Sequence, residues 1–447
     1  MHNAHFSADQ NELKQIARDI LAHAKNAGAS SAEADVSTGI GQNVSVRKGE
    51  VETIEYNRDK GLSVTVYFGH QRGSASSSDL SAQAIADTVR AAASIARYTA
   101  ADEFSGLADE ALLAKGEVAD LELYHPWDLS VESAIELAKR TEAAAFAVDP
   151  RITNSEGASA STHESNFAYA NSLGFCNGFA TSRHGLSCSV IAGADDGMQR
   201  DYWYSTGRDL AQLESPERVG RLAGERTVAR LDARKLTTRE TPVLFDAALA
   251  SGLIGHLVGA VSGGSLYRKS SFLLDSIGKP IFAPFVQIRE APHLKMALAS
   301  SAFDDEGVAT HSRDIVTDGV LQGYFLGSYS ARKLGMRSTG NAGGNHNLLV
   351  QGGELDFAGL LKQMQRGFVV TELLGQGVNP VTGDYSRGAA GFWVDGGEIQ
   401  YAVEEVTIAG NLLRMFRDIS AIGNDVLVRG SKQCGSILIE HMTVAGD

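Results

Sequence analysis

The sequence predicts an α+β protein in two halves. The N-terminal half consists of repeated helix–antiparallel sheet–helix units. The C-terminal half is mostly antiparallel β, closed or barrel-like. Three observations predict this. Before residue 232, apolar residues at helical spacing twice bracket runs of alternating strands. Past residue 236 the chain turns glycine-rich, with hairpin dipeptides set between apolar runs. The 447 residues are 43% hydrophobic and 21% charged, a globular composition with ample material for cores.

The first unit opens on "DQNELKQIARDILAHAKNAG", where Leu13, Ile16, Ile20 and Leu21 share a helical face and Gly28 ends the run. Alternating runs follow in "AEADVSTG", "NVSVRKGEVETIEYN" and "GLSVTVYFGHQRGSASSSD", read as a meander with turns at "KGE" and "NRDKG". The helix "SAQAIADTVRAAASIARY" closes it. The order then repeats: a helix over 129–148, strands from Ile152 to Gly207, and a helix in "SPERVGRLAGERTVARL". Asp79-Leu80 and Asp209-Leu210 stand at matching places ahead of the closing helices, which suggests a duplication. Ordinary α+β alternation is the plainer explanation of the same pattern. The units span 1–120 and 121–232 within an N-terminal domain of 1–232. The basic stretch "ARKLTTRET" separates this domain from a C-terminal domain of 236–447. In the second domain, Asp318-Gly319 and Asp395-Gly396-Gly397 predict hairpins, and helices are expected near 251–262 and in "DFAGLLKQMQR".

Charge and cysteine usage narrow the function classes. A net charge of −14, with no basic run that overrides it, argues against direct nucleic-acid binding, which needs clustered Lys and Arg. Cys176, Cys188 and Cys434 are few and scattered, as expected in a reducing cytoplasm. No basic start leads into an apolar segment, and nowhere do 18 apolar residues run together, so neither a signal peptide nor a membrane span is expected.

Local chemistry offers fragments rather than a complete site. In "SGLIGHLVGAVSGG", His256 lies on an apolar helix, with Leu257 beside it and Ala260 one turn on. A zinc-peptidase helix carries two histidines and a glutamate, so His256 alone reads as a core residue. Asp304, Asp305 and Glu306, followed by Gly307 and His311, suit a hard cation or a general base. They equally suit the capping of a turn. The loop "STGNAGGNHN" has the glycines to cradle an anion or a peptide backbone but lacks the residues of a phosphate loop. "GLSCS" around Ser187 alternates like a strand, and Cys434 precedes an apolar strand as a buried structural thiol.

Several linked segments resemble the TldD/PmbA family, also called modulators of DNA gyrase: "DDEGVATHSRDIVTDGVLQGYFL", "SARKLG" followed by "STGNA", and "GAAGFWVDGGEIQYAVEEVTIAGNLLRMF". The ending "IGND…QCGSILIEHMTVAG" resembles the PmbA (TldE) branch in particular. In the TldD branch a helix bearing HExxxH binds zinc together with a later cysteine. Laying that motif on "GHLVGA" puts Gly255 and Ala260 at the ligand positions and His256 at the glutamate's. Gly259 would then be the relic of a helix distortion. Cys434 lies too near the end to match the ligand cysteine.

The resemblance implies a PmbA/TldE-type subunit of a heteromeric TldD–TldE zinc metallopeptidase acting on small or unfolded peptides. It implies no catalytic residue and no cofactor in this chain, with zinc in a TldD-type partner. The alternative assembly for the isolated chain is a homodimer. The alternative functions are a self-sufficient hydrolase built on Asp304, Asp305, Glu306 and His311, and a non-enzymatic regulatory binder.

Overall fold

In the computed structural model, which describes residues 6–446, the chain opens on helix α1 (Gln10–Asn26). Asp9 caps it by accepting from the Asn11 and Glu12 amides, while the Glu12 carboxylate accepts from the Asp9 amide. Leu13, Ala17, Ile20 and Ala24 form its buried stripe. Strands β1 (Ser31–Arg47), β2 (Glu50–Phe68) and β3 (Gln71–Ser77) follow as an antiparallel meander, which α2 (Ala82–Tyr98) covers. The second unit holds α3 (Val131–Phe146), β4 (Ile152–Asn171), β5 (Cys176–Asn177), β6 (Ala180–Ala192), β7 (Gln199–Gly207) and α4 (Pro216–Ala229).

All seven strands join one sheet in the order β3-β2-β1-β4-β6-β7, with β5 beside β4. The two units are thus mirrored across the antiparallel β1–β4 pair. Strand β1 is long enough to serve two cores. Ala32, Ala34 and Val36 pack under α1 and α2, and Val44 and Val46 pack with the residues under α3 and α4.

One turn expected from the sequence is absent. Lys48 and Gly49 make the "KGE" turn with φ of 53° and 75°, but "NRDKG" is strand throughout. Asn57 to Gly61 pair with Gly41 to Ser37, because β1 runs on through Thr38 and Gly39 instead of stopping there. Every residue from Glu50 to Lys60 is exposed, so "NRDKG" has the composition of a loop although the backbone groups on the β1 side of this stretch are paired across the ladder.

The C-terminal half begins with β8 (Arg239–Phe245), α5 (Ala247–Ala260), α6 (Gly263–Tyr267) and β9 (Ile288–Glu290). Next come β10 (Arg313–Thr317), β11 (Val320–Leu321), α7 (Ser328–Lys333), β12 (Leu348–Val350) and α8 (Phe357–Met364). The chain finishes with β13 (Gly367–Leu374), β14 (Asp384–Asp395), β15 (Glu398–Asn411), α9 (Leu412–Arg417), β16 (Ile419–Ile422), β17 (Lys432–Gln433) and β18 (Ile437–Ala445).

Strands β15-β14-β13-β8-β18 close into a five-stranded barrel, because β18 returns to pair Thr443–Ala445 with Thr407–Ala409 of β15. Only the β8–β13 pairing within it is parallel. A smaller sheet, β11-β10-β9-β12-β17, shares the barrel's large core, where Phe245, Phe368 and Phe416 are fully buried. The expected hairpins are present. Asp318 and Gly319 turn with φ of 50° and 73°, and Gly396 and Gly397 with 63° and 77°. Among the described residues, no helix is long and apolar enough to cross a membrane.

Candidate functional site

Helix α5 starts at Ala247, earlier than the sequence suggested, because the Asp246 side chain accepts the Ala248 amide and fixes the first turn. Ala250, Leu253, Ile254, Leu257 and Ala260 face the core. The helix is unbroken to Ala260, and a Cβ at Gly259 would meet nothing within 4 Å, so no distortion marks that position. His256 is half-buried, with its ring edge-on to Tyr385 at 5.8 Å and 82°. Burial, and then the Arg387 charge, hold its imidazole below the usual histidine range, so it is neutral at pH 7.

The residues present do not fit a zinc ion. Gly255 offers no donor, Ala260 is 3% exposed and apolar, and His256 stands alone against a tyrosine ring. Among the described residues, no three His, Cys, Asp or Glu side chains are grouped to hold a metal. The space over Gly255 belongs to Lys432, whose Cε lies 3.7 Å from where a Cβ would be.

The acidic run is split in its roles. Asp304 is 3% exposed and organises its own turn: Oδ1 accepts from the Glu306 and Val308 amides and Oδ2 from the Ala342 amide, all within 3.0 Å. Asp305 and Glu306 line a cavity of about 410 Å³ with Asp304, and His311 is exposed outside that lining. The opposite wall carries two acids that sequence reasoning missed, Glu33 and Asp35 of β1. Glu33 accepts from the Tyr67 and Tyr169 hydroxyls at 2.8 and 2.9 Å. Their signal was two acids in alternation within "AEADVS", where the intervening positions are Ala and Val. Burial is the largest cause in each case: it raises the Glu33 carboxyl, pushes Asp35 to about 6 and Asp304 to about 7, and raises Asp305. Like charge adds to all four, from Glu306 on Glu33, Asp304 and Asp305, and from Asp305 on Asp35.

The glycine-rich loop cradles an anion, and that anion is the chain's own. Glu290, 1% exposed, accepts from Asn341 Nδ2 and the His346 amide at 2.8 Å and from Arg313 Nε at 2.9 Å. Gly340, Gly343 and Gly344 supply the left-handed turns that wrap it, with φ of 72°, 92° and 122°. Ser187 lies in β6 and shares a hydrogen bond with Ser159 Oγ at 2.8 Å. Cys434 is fully buried, and burial pushes its thiol up to about 12.

Known proteins of matching sequence and fold place the chain. Family profiles for PmbA/TldA metallopeptidases match residues 32–96 (domain 1), 124–231 (central domain) and 238–446 (C-terminal domain). "Metalloprotease PmbA" of Escherichia coli O157:H7 is 53% identical over 426 residues, covering 95% of this chain and 94% of that protein. In Haemophilus influenzae, "Metalloprotease PmbA homolog" is 48% identical (99% of this chain, 98% of that one), and "Metalloprotease TldD homolog" is 22% identical (84% and 82%). Among solved structures, a candidate modulator of DNA gyrase from Bacteroides thetaiotaomicron superposes with a TM-score of 0.92 at 27% identity, covering 97% of this chain and 99% of that one. TldE from Thermococcus kodakarensis shares the fold at 18% identity, with a TM-score of 0.85 and coverage of 96% and 100%. The chain belongs to the PmbA/TldD metallopeptidase family.

Proposed function

We propose that this chain is the PmbA/TldE-type subunit of a heteromeric TldD–TldE metallopeptidase acting on small or unfolded peptides. In this reading the zinc and the chemistry reside in a TldD-type partner, and this chain supplies walls and binding surface. The observation that carries it is α5 itself: a chain of a metallopeptidase family presents Gly255, His256 and Ala260 where the resemblance puts the metal-binding motif. The presence of both a PmbA homolog and a TldD homolog in Haemophilus influenzae supports a two-chain arrangement. A free sheet edge supports peptide handling. Strand β3 pairs with β2 only from Leu62 onward, so among the described residues no strand occupies that side of Glu50–Gly61, which can take an added extended strand. Free thiols at all three cysteines suit a cytoplasmic assembly.

The test measures peptide cleavage by each chain alone, by the pair, and by pairs carrying single substitutions. Cleavage is expected only from the pair. It should survive His256→Ala here and vanish when the glutamate of the partner's HExxxH is replaced. Removing His256 costs packing against Tyr385, so folding is checked first. Chelator-sensitive cleavage by this chain alone would overturn the subunit reading. Loss of the pair's activity in a well-folded His256→Ala variant would instead put His256 in a shared active site.

A further inference from the structure

A cavity of about 270 Å³ lies between the first turns of α5 and the segment leading into β17, lined by Tyr204, Ser251, Leu427, Arg429, Ser431 and Lys432 among others. Two cations line it and no carboxylate does, in a chain where 54 acids outnumber 40 basic residues. From this arrangement we propose that the cavity binds a single oxyanion and that, on the peptidase reading above, the anion is the C-terminal carboxylate of a short peptide.

Among the described residues, neither cation forms an ion pair. The Arg429 guanidinium lies 4.0 Å from the ring centroids of both Trp203 and Tyr204, and its enclosed Nη2 has no hydrogen-bond acceptor. Glu214 is the acid whose field reaches Arg429, but its oxygens are taken by Trp203 Nε1 and Arg218 Nε, each at 2.7 Å. Asp246, at the head of α5, is committed to the Ala248 amide and to Arg226. Lys432 is half-buried with its stem along Gly255, and its ammonium reaches Ser431 Oγ at 3.4 Å. Burial lowers the proton affinity of both groups.

Desolvated cations without an anion are costly, and an entering oxyanion would form charge-assisted hydrogen bonds where they count most. Ser251, Ser431 and Tyr204 add hydroxyl donors, and the positive end of the α5 dipole points the same way. The cavity is below the ~300–1,000 Å³ of ordinary ligand pockets, which suits a terminal group rather than a whole peptide. A longer side chain at position 255 would compete with the Lys432 stem for space. The lysine stem therefore packs against the stretch of α5 on which the resemblance lays a metal ligand.

The peptide form of this inference rests on the proposed function; anion binding does not. The test is calorimetric titration of the intact isolated chain with three probes: a tripeptide with a free C-terminus, its C-terminal amide, and inorganic phosphate. The free acid is expected to bind at least about tenfold more tightly than the amide, the scale of a lost charged hydrogen bond. Lys432→Met keeps the stem and removes the charge; it should weaken binding of the acid by a similar factor with no loss of melting temperature. Arg429→Gln should act likewise, and if it fails to fold, Lys432→Met decides. Measurable and equal binding of acid and amide, undiminished binding by Lys432→Met, or no binding of any probe would overturn the proposal. Lys432-dependent binding of phosphate with an inert tripeptide would uphold the anion site and overturn its peptide form. None of these outcomes requires the second subunit, so they are separate from the cleavage assay.

Discussion

Asp35 and Asp304 face one cavity from different halves of the chain, with their carboxyls raised from 3.8 to about 6 and about 7. A folded-state pKa above the unfolded one means that the native state holds its protons longer. The protonated carboxyls therefore favour the fold fully below about pH 4, and that advantage is lost as pH rises through 6 to 7. Asp35→Asn removes the charge at constant size. It should raise stability at pH 8 by on the order of 1 kcal/mol, after allowance for solvent at this partly exposed site, and the gain should shrink to nothing near pH 4. Melting temperatures of both proteins from pH 4 to 8 check this; a constant gap across that range would refute it. At this scale the sequence was half legible. Asp304, Asp305 and Glu306 could be seen as a group, but the acids facing them lie in a strand of the other half, and only the tertiary fold brings the two together. His256 was legible as a lone histidine because its neighbours lack donors, whereas Tyr385 as its packing partner was not.

Elements were read best where local pattern and burial agree. Helix α1, the helix–sheet–helix order and the Asp-Gly hairpins follow from periodicity and turn chemistry. Exposed strand defeated the same reading at "NRDKG", since a strand with both faces in water shows no alternation. Contact between elements was also hidden, although glycines marked it. A Cβ at Gly220 of α4 would lie 1.9 Å from the Thr141 carbonyl oxygen of α3, and one at Gly224 would lie 2.8 Å from that of Ala145. Gly220→Ala should therefore force the helices apart and cost about 1–3 kcal/mol, despite the better helix propensity of alanine. Gly252 of α5 is the control, because a Cβ there meets nothing within 4 Å. Gly252→Ala should be stabilising by up to about 1 kcal/mol. Denaturant midpoints of the two variants should move in opposite directions, and a shared direction would contradict the close crossing.

For the whole molecule, we propose residues 1–232 and 236–447 as two domains with separate cores and one cooperative transition. The seam between them is extensive. Arg332 donates to the carbonyls of Phe104, Gly106 and Leu107, Arg208 to those of Ala297 and Leu298, and Arg230 pairs with Glu372. Tyr169 and Phe175 from one half pack with Phe303 and Val308 from the other in a shared cluster. Calorimetry of the intact chain should show a single unfolding endotherm, and two resolved endotherms would show that the seam does not couple the cores. Barrel closure belongs to this scale too. The return of β18 to β15 is set by pairing between distant segments, which no local pattern announces, although the glycine-rich hairpins pointed to a curved sheet.

The mirrored order of the first sheet has a consequence for how its two units hold together. A lone helix–sheet–helix unit would expose the long inner edge of β1, where the ladder to β4 runs from Glu33 to Val46. An open edge of that length invites another strand, and the antiparallel geometry lets an identical strand answer it. Two separate copies would therefore form a twofold dimer across this edge at a sufficient concentration. Carrying both units in one polypeptide makes the second permanently available, at the high effective concentration that tethering provides. Symmetry is then no requirement of the pairing, and the two units need not match. They do not: the second carries the short β5 strand and Arg208, which donates into the C-terminal half, while the first has the free edge of β2.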